Sequence, residues 1–501
     1  MTKILVLGNE TDATNTATAE LAAVDGVDNC GLLSNISTDI LDGYYHTSTA
    51  DLVPGDIVAV ASKFDLVIML DQPQASYPHF KSFLMTLKVM IDLDANGINV
   101  QYRNNQHTQN TLQWVEFLKT NKSFCFHPFL ALISDTDSTH ICPKNLNPII
   151  RLDELNDWQT DVEYNKIRTS MANGELIPDR CSDCYNREAE GQESTRQFET
   201  LEWAERLELK TVDDFFNVKS PAYYEIRPSN LCNIMCRTCD DGHSHLIERE
   251  WKTIDIPLVD WKFTNNTFDK MDVSSAKRVY WGGGEPTIMP EFYEFLEKCI
   301  ADGNTSFDLE VGTNGMKFSD KLLTLLDQFT SVNFAFSFDG YKEINDYIRW
   351  KSKFDTVVKN AHMILDRGHG ISVQSVFSIY SITRMHEVFE FWDSEFPKAG
   401  ALVQVANGLE QMVMPFNHPC PELVVESMKR CQQTKVYYML GRSVKSQVDL
   451  MVDYYSNPSY NVNIDLLTKF YKFNDKLDQA RNSRLIDYIP ELANARTIYG
   501  I

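Results

Sequence analysis

Three cysteines within eight residues are the feature of the sequence most suggestive of chemistry. Cys232, Cys236 and Cys239 stand at C-x3-C-x2-C spacing, directly after an apolar segment with the pattern of a β-strand. Thiolates at this spacing can hold three corners of a cubane iron–sulfur cluster. Because the loop has no fourth cysteine, one iron would stay open, as a catalytic metal site requires.

The same loop admits a second interpretation, a zinc knuckle that takes His243 or His245 as its fourth ligand. Zinc sites usually contain two separate C-x2-C pairs, whereas these three cysteines lie in one continuous turn between a strand and a helix. The spacing therefore favours the cluster and leaves the zinc alternative open.

Three further motifs follow the next strands predicted along the chain. Trp281–Pro286 reads W-G-G-G-E-P, Gly312–Gly315 reads G-T-N-G, and Ser337–Gly340 reads S-F-D-G, with Arg349 about ten residues later. Each motif alone could be a turn. Because the carboxyl ends of parallel strands share one edge of a sheet, their order indicates a single ligand site.

With these motifs in place, residues 222–406 resemble radical S-adenosylmethionine (SAM) enzymes. The resemblance implies a [4Fe–4S] cluster on Cys232, Cys236 and Cys239, with SAM bound to the open iron. One-electron cleavage of SAM would give methionine and a 5′-deoxyadenosyl radical, which removes a hydrogen atom from the substrate. No residue is identified as the group that quenches the substrate radical. The residues implied to bind SAM are Gly283, Gly284, Glu285, Pro286, Asn314, Ser337, Asp339 and Arg349.

Four more cysteines precede this region at C-x16-C-x38-C-x2-C spacing. They are Cys125, Cys142, Cys181 and Cys184, of which the last two form a compact half-site after Pro178. Four thiolates satisfy a structural zinc ion or a fully ligated iron–sulfur cluster equally well. The spacing thus predicts a metal site and leaves its metal open.

The surroundings of these cysteines resemble a twitch domain, the shortened form of the auxiliary-cluster SPASM domain of peptide-modifying radical SAM enzymes. The resemblance implies an auxiliary [4Fe–4S] cluster that exchanges an electron with a substrate radical. Twitch domains usually follow the barrel, and this order resembles the small group in which they precede it. Many relatives have a Cys-Cys pair where this chain has Cys142-Pro143. The motifs that carry the resemblance are F-C-F-H-P at Cys125, I-C-P at Cys142, and Asn173, Gly174, Glu175, Pro178, Cys181, Cys184, Glu188, Gly191, Ser194 and Arg196.

The elements that must position these residues follow a regular pattern from Ala222 onward. Short apolar strands alternate with amphipathic helices, which predicts repeated βα units and a parallel sheet. The predicted fold is α/β, a partial (β/α)6 barrel with its chemistry at the carboxyl ends of the strands. The strands are predicted at 222–227, 278–281, 307–311, 333–338, 372–378 and 402–405, and the helices near 243–252, 290–301, 319–329, 353–367 and 384–394.

The rest of the chain divides around this barrel. Lys3–Gly8 and Phe64–Leu70 have the pattern of buried strands, with a helix predicted around Thr14–Ala23. They predict a Rossmann-like α/β module of unknown role. The predicted domains are 1–118 for that module, 119–215 for twitch, 216–420 for the barrel and 421–501 for a helical extension.

Composition limits the possible partners. The chain has 501 residues, 43% of them hydrophobic and 23% charged, as folded proteins do. Its net charge of −23 argues against nucleic acid and anionic membranes as main partners. No apolar run reaches the ~18 residues that span a bilayer, and a cytoplasmic location is expected.

Three functional hypotheses follow. The first is hydrogen abstraction from a peptide or protein residue, with electron transfer through the auxiliary cluster and a low-potential donor such as flavodoxin or ferredoxin. The second is the same chemistry on a small metabolite, sugar or nucleotide. The third is a zinc- or cluster-binding protein without catalysis, against which the intact cysteine triad argues.

Overall fold

The chain forms two compact units whose segments interleave in sequence. The first unit comprises 1–126, 171–176 and 193–217, and the second comprises 127–170, 177–192 and 218–501. The predicted division into four domains remains a prediction. The computed structural model describes residues 2–7, 27–34, 46–48, 66–70, 100–103, 106–145, 147–189, 194–264, 268–406, 415–439 and 441–501.

The first unit contains a sheet of five parallel strands. Its order is β3-β2-β1-β4-β5. Two of the strands lie where apolar runs predict them, whereas the helix predicted around Thr14–Ala23 lies outside the described residues. The Rossmann-like assignment therefore stays a prediction. The strands are β1 Thr2–Leu7, β2 Val27–Ser34, β3 His46–Ser48, β4 Leu66–Leu70 and β5 Val100–Arg103.

Three helices complete the described part of the first unit. Trp114 is buried on the first of them, and its indole N–H donates to the Leu209 carbonyl at 2.8 Å. Ser194 caps the second helix through a reciprocal pair of hydrogen bonds with Gln197. The helices are α1 Gln106–Thr120, α5 Thr195–Arg206 and α6 Val212–Phe216.

The second unit is built on one mostly parallel sheet of eight strands. Its order is β15-β14-β12-β11-β10-β8-β6-β7, in which only the β6–β7 pair is antiparallel. All six strands predicted from the βα pattern are present and adjacent in chain order. The strands are β6 Ala131–Ser134, β7 Thr139–His140, β8 Tyr223–Ile226, β10 Arg278–Trp281, β11 Asp308–Thr313, β12 Ser331–Ser337, β14 Gly370–Phe377 and β15 Gly400–Val405.

The alternation of buried side chains along the strands explains how this sheet packs on the apolar core. On β11 and β12 every second residue is buried, and Val311, Phe334 and Phe336 belong to the main apolar core. The intervening residues occupy the opposite face. The helices found with the sheet are α2 His127–Leu130, α3 Val162–Ala172 (which crosses the boundary between units), α4 Pro178–Ala189, α7 His245–Thr253, α8 Pro290–Ala301, α9 Asp320–Leu326, α10 Glu343–Ile348, α11 Phe354–Asp366 and α12 Met385–Glu395.

The described residues from Pro421 onward are mostly helical, as predicted for the C-terminal extension. Within the part of the chain that the structure describes, every helix is too short or too polar to cross a bilayer. The C-terminal helices are α13 Pro421–Cys431, α14 Lys435–Met439, α15 Gly441–Ser456, α16 Ile464–Arg481 and α17 Pro490–Ile498.

Candidate functional site

The three-cysteine loop follows β8, the first of the six parallel strands. Its middle forms a two-residue strand, β9 (Met235–Cys236), which pairs antiparallel with β13 (Arg349–Trp350). This pairing sets Cys236 opposite Arg349. Cys232 is buried, and Cys236 and Cys239 are half-buried. The predicted cluster residues and the predicted SAM residue Arg349 therefore belong to the cysteine loop and to the strand that pairs with it.

Burial determines the state of these thiols in the absence of metal. It raises the pKa of Cys232 to about 12, and it raises the pKa of Cys236 and of Cys239 as well. The neighbouring thiols add to the rise at Cys232 and Cys239, whereas Arg349 opposes it at Cys236. A bound cation deprotonates such thiols outright. The donor set thus suits an iron centre that neutralises three thiolates at once.

The two histidines of the zinc alternative already have partners in the chain. Nδ1 of His245 accepts the Cys232 backbone N–H at 3.2 Å. Nδ1 of His243 lies 2.7 Å from the Asp240 carboxylate, and its ring packs against Trp261. Among the described residues, no three His, Cys, Asp or Glu side chains converge on the position of one metal ion. A structural zinc ion binds its four ligands in one tetrahedral shell, whereas a cubane takes each thiolate at a different iron.

The glycine motif after β10 packs directly on the cysteine loop. The N–H groups of Gly284 and Glu285 donate to the carbonyls of Ser229 and Leu231 at 2.9 and 2.8 Å. A Cβ at Gly283, whose φ is +106°, would lie 2.6 Å from the Ser229 carbonyl oxygen. The glycines are therefore required by the loop they support, in addition to any approach to a ligand.

Glu285 is a brace between two motifs. It is fully buried, and its carboxylate accepts the N–H and hydroxyl of Thr287, the hydroxyl of Thr313 at 2.8 Å and the N–H of Asn314 at 2.6 Å. Burial raises the pKa of Glu285, and these donors oppose that rise. Both carboxylate oxygens are used by the chain, and Pro286 is buried beside it in a 3-10 turn.

Asn314 extends this brace to the cysteines. Its amide nitrogen donates to the Asn233 side chain at 2.7 Å and lies 3.9 Å from the Cys232 sulfur. Asn233 stands inside the cysteine motif, and sequence reasoning missed it. The only sign of its role in the sequence is its place between two predicted cluster ligands, Cys232 and Cys236, and such a sign is weak by itself. Ser337, on β12, accepts a hydrogen bond from Gln374 at 2.9 Å.

Arg349 is held in place by Asp339. Nη1 of Arg349 donates to Asp339 at 2.7 Å, and the other Asp339 oxygen accepts the Val376 N–H at 3.1 Å. Nε of Arg349 is buried and has no hydrogen-bond partner among the described residues. A buried donor beside the cysteine loop suits an anionic ligand group such as a carboxylate. The residues present therefore fit SAM at the point where the resemblance implies it.

The upstream cysteines are divided between the two units. In the second unit, Cys181 and Cys184 lie three residues apart on α4, on neighbouring positions of its surface. Burial raises the pKa of Cys181 to about 11, with Cys184 adding to the rise. The loop that begins at Cys142 packs on this helix, because Asn145 donates to the Asp179 carbonyl at 3.1 Å. These three cysteines are therefore brought into one region.

Cys125 belongs to the first unit, where it is buried. The buried Arg196 fixes the preceding residue, since its Nη1 donates to the Phe124 carbonyl at 2.9 Å. Arg196 and the helix cap Ser194 thus have structural roles. Gly191 of the predicted twitch motif lies outside the described residues.

Comparison with known proteins gives one family match. Residues 226–386 match the family model described as the radical SAM superfamily. An uncharacterized protein of Methanothermobacter thermautotrophicus is 33% identical over 114 residues, 22% of this chain and 43% of that protein. Mycofactocin maturase MftC of Mycobacterium tuberculosis is 25% identical over 158 residues, 31% of this chain and 38% of MftC. The chain thus spans about two fifths of the length of these relatives.

One solved structure resembles the chain over a larger share of its length. It is Streptococcus suis SuiB bound to the precursor peptide SuiA, at 14% identity and a TM-score of 0.29. The match covers 66% of this chain and 74% of SuiB.

Proposed function

We propose that this chain, whose residues 226–386 match the radical SAM superfamily model, is an enzyme that reductively cleaves SAM and removes a hydrogen atom from a substrate. A [4Fe–4S] cluster and SAM are the cofactors of that superfamily. The observation that carries the proposal is the Asp339-held Arg349, with its unpartnered Nε, set opposite Cys236 on the cysteine loop.

The chain's own residues have defined tasks in this proposal. When bound, the cluster and SAM supply a one-electron cleavage whose product radical removes hydrogen from the substrate. Cys232, Cys236 and Cys239 would hold the cluster and leave one iron open for SAM. Arg349 would donate from Nε to an anionic group of SAM, while Asp339 fixes the guanidinium. Burial of the cysteine loop excludes water from reactive species.

The remaining motif residues position the ligands. Glu285 ties the glycine motif to Asn314, so that the two motifs cannot move independently. Asn314 in turn holds Asn233 within the cysteine loop. Gly283, Gly284, Pro286 and Ser337 complete the proposed SAM site by their places at the ends of β10 and β12.

We extend the proposal to the auxiliary [4Fe–4S] cluster predicted from the sequence, to which the second unit contributes Cys142, Cys181 and Cys184. The packing of the Cys142 loop on the helix that carries Cys181 supports a shared site for these three. Four thiolates leave no open iron, so the cluster would pass electrons rather than bind substrate. A low-potential flavodoxin or ferredoxin would reduce the enzyme.

A peptide or protein residue is the proposed substrate, because the upstream segment resembles a twitch domain.

The sheet face that carries Glu225 and Arg227 is polar where it meets the glycine motif. Arg227 forms an ion pair with Glu225, and Nη1 of Arg227 lies 4.0 Å from the buried Asp135. A Cβ at Gly282 would lie 3.2 Å from Nε of Arg227. These charges favour a polar substrate group near SAM.

Deuterium transfer tests both the chemistry and the substrate class. Reconstituted protein would receive SAM, dithionite and either the peptide fraction or the small-molecule fraction of cells grown on deuterated nutrients. We expect deuterated 5′-deoxyadenosine with the peptide fraction, detected by mass spectrometry, and none from a Cys232→Ala variant. Deuterium from the small-molecule fraction alone would favour a metabolite substrate. No 5′-deoxyadenosine from folded, iron-loaded protein would contradict the enzymatic proposal.

A further inference from the structure

The C-terminal helix α16 packs on the cysteine loop, although it lies far beyond the radical SAM match, which ends at residue 386. Phe473 and Leu477 of the helix share a buried apolar cluster with Met235 of the loop and Trp251 of α7. Cys239 packs against the same cluster. A segment outside the matched domain therefore forms part of the support of two loop positions.

Arg237, between the second and third cysteines, joins the loop to this helix. Its side chain is 0% exposed. Nη1 donates to the Asn474 side chain at 3.0 Å, and Nη2 donates to Asp478 at 2.7 Å and to Ser483 at 2.9 Å. Nε donates to the Tyr347 carbonyl at 2.9 Å. Every guanidinium nitrogen has a partner, as a buried charge requires.

The partners of Arg237 are themselves fixed from several sides. The Asn474 side-chain oxygen also accepts the Tyr380 hydroxyl at 3.0 Å and lies 3.2 Å from the Tyr347 hydroxyl oxygen. Asp478 accepts the Tyr347 hydroxyl at 3.0 Å and, through its other oxygen, the Asn474 amide at 3.1 Å. The Arg237 guanidinium stacks over the Tyr347 ring at 3.7 Å. Such a network permits one arrangement of the loop rather than several.

A second buried ion pair repeats the connection one turn away. Arg481, at the end of α16, donates from Nη2 to Glu250 of α7 at 2.6 Å, and both side chains are buried. Helix α7 (His245–Thr253) follows the cysteine loop in the chain. Helix α16 therefore contacts both the cysteine loop and helix α7, which follows that loop in the chain.

We infer that α16 is a clamp that holds the cysteine loop in its cluster-binding conformation, with Arg237 and Asp478 as its positioning residues. The inference rests on the proposed function for its role in cluster chemistry. The clamp itself belongs to the chain and is testable without iron. It extends the functional part of the enzyme from the matched domain to residues 464–492, because Leu485, Ile489 and Leu492 share one buried apolar cluster with α16 and with Tyr347.

Matched substitutions on one helix separate the clamp from general helix stability. Asp478→Asn keeps the shape of the side chain but removes the charge that faces Arg237. Asp475→Asn is the control, because Asp475 lies on the same helix and its ion pair with Arg496 at 2.8 Å is exposed. Arg237→Lys keeps the charge but cannot reproduce the fork of donors.

The first measurement is hydrogen–deuterium exchange of the full-length iron-free protein, followed in peptides that cover residues 230–240. The Arg237 N–H, which donates to the Ile348 carbonyl at 2.7 Å, lies in that stretch. We expect exchange about tenfold faster or more in Asp478→Asn and in Arg237→Lys, and unchanged exchange in Asp475→Asn. Equal exchange in the two aspartate variants would overturn the clamp.

The second measurement uses the iron-loaded protein and a ferrous chelator under anaerobic conditions. We expect iron release about tenfold faster in Asp478→Asn than in Asp475→Asn, and an altered electron paramagnetic resonance spectrum on addition of SAM. The double variant Arg237→Lys/Asp478→Asn should release iron no faster than the faster single variant, because both act on one contact. Wild-type protein that binds no iron would count against the proposed function alone, since the exchange result stands independently. Iron release at control rates in Asp478→Asn would overturn the role of the clamp in holding the cluster.

Discussion

A methyl group added at Gly284 tests whether the glycine motif and the cysteine loop form one site. The Cβ of Gly284→Ala would lie 2.6 Å from the Leu231 carbonyl carbon and 2.7 Å from the Asn230 carbonyl carbon, and nearer still to the Leu231 oxygen. Ordinary contacts between heavy atoms are about 3.5–4.0 Å. The neighbours are backbone atoms, which cannot rotate away. The loop must therefore move by about 1 Å or more.

The magnitudes for stability and activity differ. Overpacking of this kind costs about 1–3 kcal/mol of unfolding free energy, which leaves the protein folded. A displacement of about 1 Å in a catalytic arrangement costs about 100-fold in rate. We therefore expect Gly284→Ala to fold, to bind SAM weakly and to form 5′-deoxyadenosine about 100-fold more slowly than wild type.

Gly303→Ala is the matched control. Gly303 has a φ of +68°, and a Cβ there would meet no atom within 4 Å. Its substitution costs about 1–2 kcal/mol of backbone strain without touching the cysteine loop. We expect near wild-type formation of 5′-deoxyadenosine, measured by chromatography under dithionite. Activity within about twofold of wild type in Gly284→Ala, where overlap predicts a loss of about 100-fold, would refute the reasoning.

Three other predictions follow from buried polar groups. Glu285→Gln replaces an acceptor by a donor that faces the Asn314 N–H, and urea denaturation should show a loss of about 1–3 kcal/mol; an unchanged midpoint would contradict the brace. Arg349→Lys should retain iron but weaken SAM binding about tenfold in equilibrium dialysis, and unaltered affinity would exclude Arg349 from the SAM site. Burial lowers the pKa of His418 to about 4, so the unfolded chain takes up a proton first as pH falls. The contribution of His418 to the unfolding free energy should therefore be present in full above about pH 6.5. It should fall by about 3 kcal/mol as the pH is lowered towards 4. His418→Gln should reduce that fall, and an equally steep loss in the variant would contradict the assignment.

Local patterns predicted the six parallel strands because apolar runs and helix periodicity are properties of short segments. The strand Arg278–Trp281 and the helix Pro290–Ala301 have their predicted limits, and the limits of the other five strands differ from the predicted ones by at most two residues. The C-x3-C-x2-C loop and the family match agree for the same reason, since both depend on contiguous motifs.

Such local patterns could not predict contacts between segments that are distant in the sequence. The pair β6–β7 adds to the sheet two strands that were not predicted from the sequence. The four-residue strand β6 is stabilised by pairing with β8, which lies about 90 residues later in the chain. Arg237 lies 241 residues from Asp478 in sequence, and nothing local connects them. Glu285 was predicted to bind cofactor, yet its carboxylate binds its own chain, a role that depends on the approach of β11. The four-cysteine auxiliary site remains a prediction.

The most direct test of the central claim is iron and sulfide per chain after anaerobic reconstitution, measured beside 5′-deoxyadenosine formation. Wild type would be compared with a variant in which Cys232, Cys236 and Cys239 are all replaced by alanine. We predict about 8 irons in wild type and about 4 in the variant, with 5′-deoxyadenosine formed only by wild type. Equal iron contents, or a variant that still cleaves SAM, would contradict the claim that this loop holds the catalytic cluster.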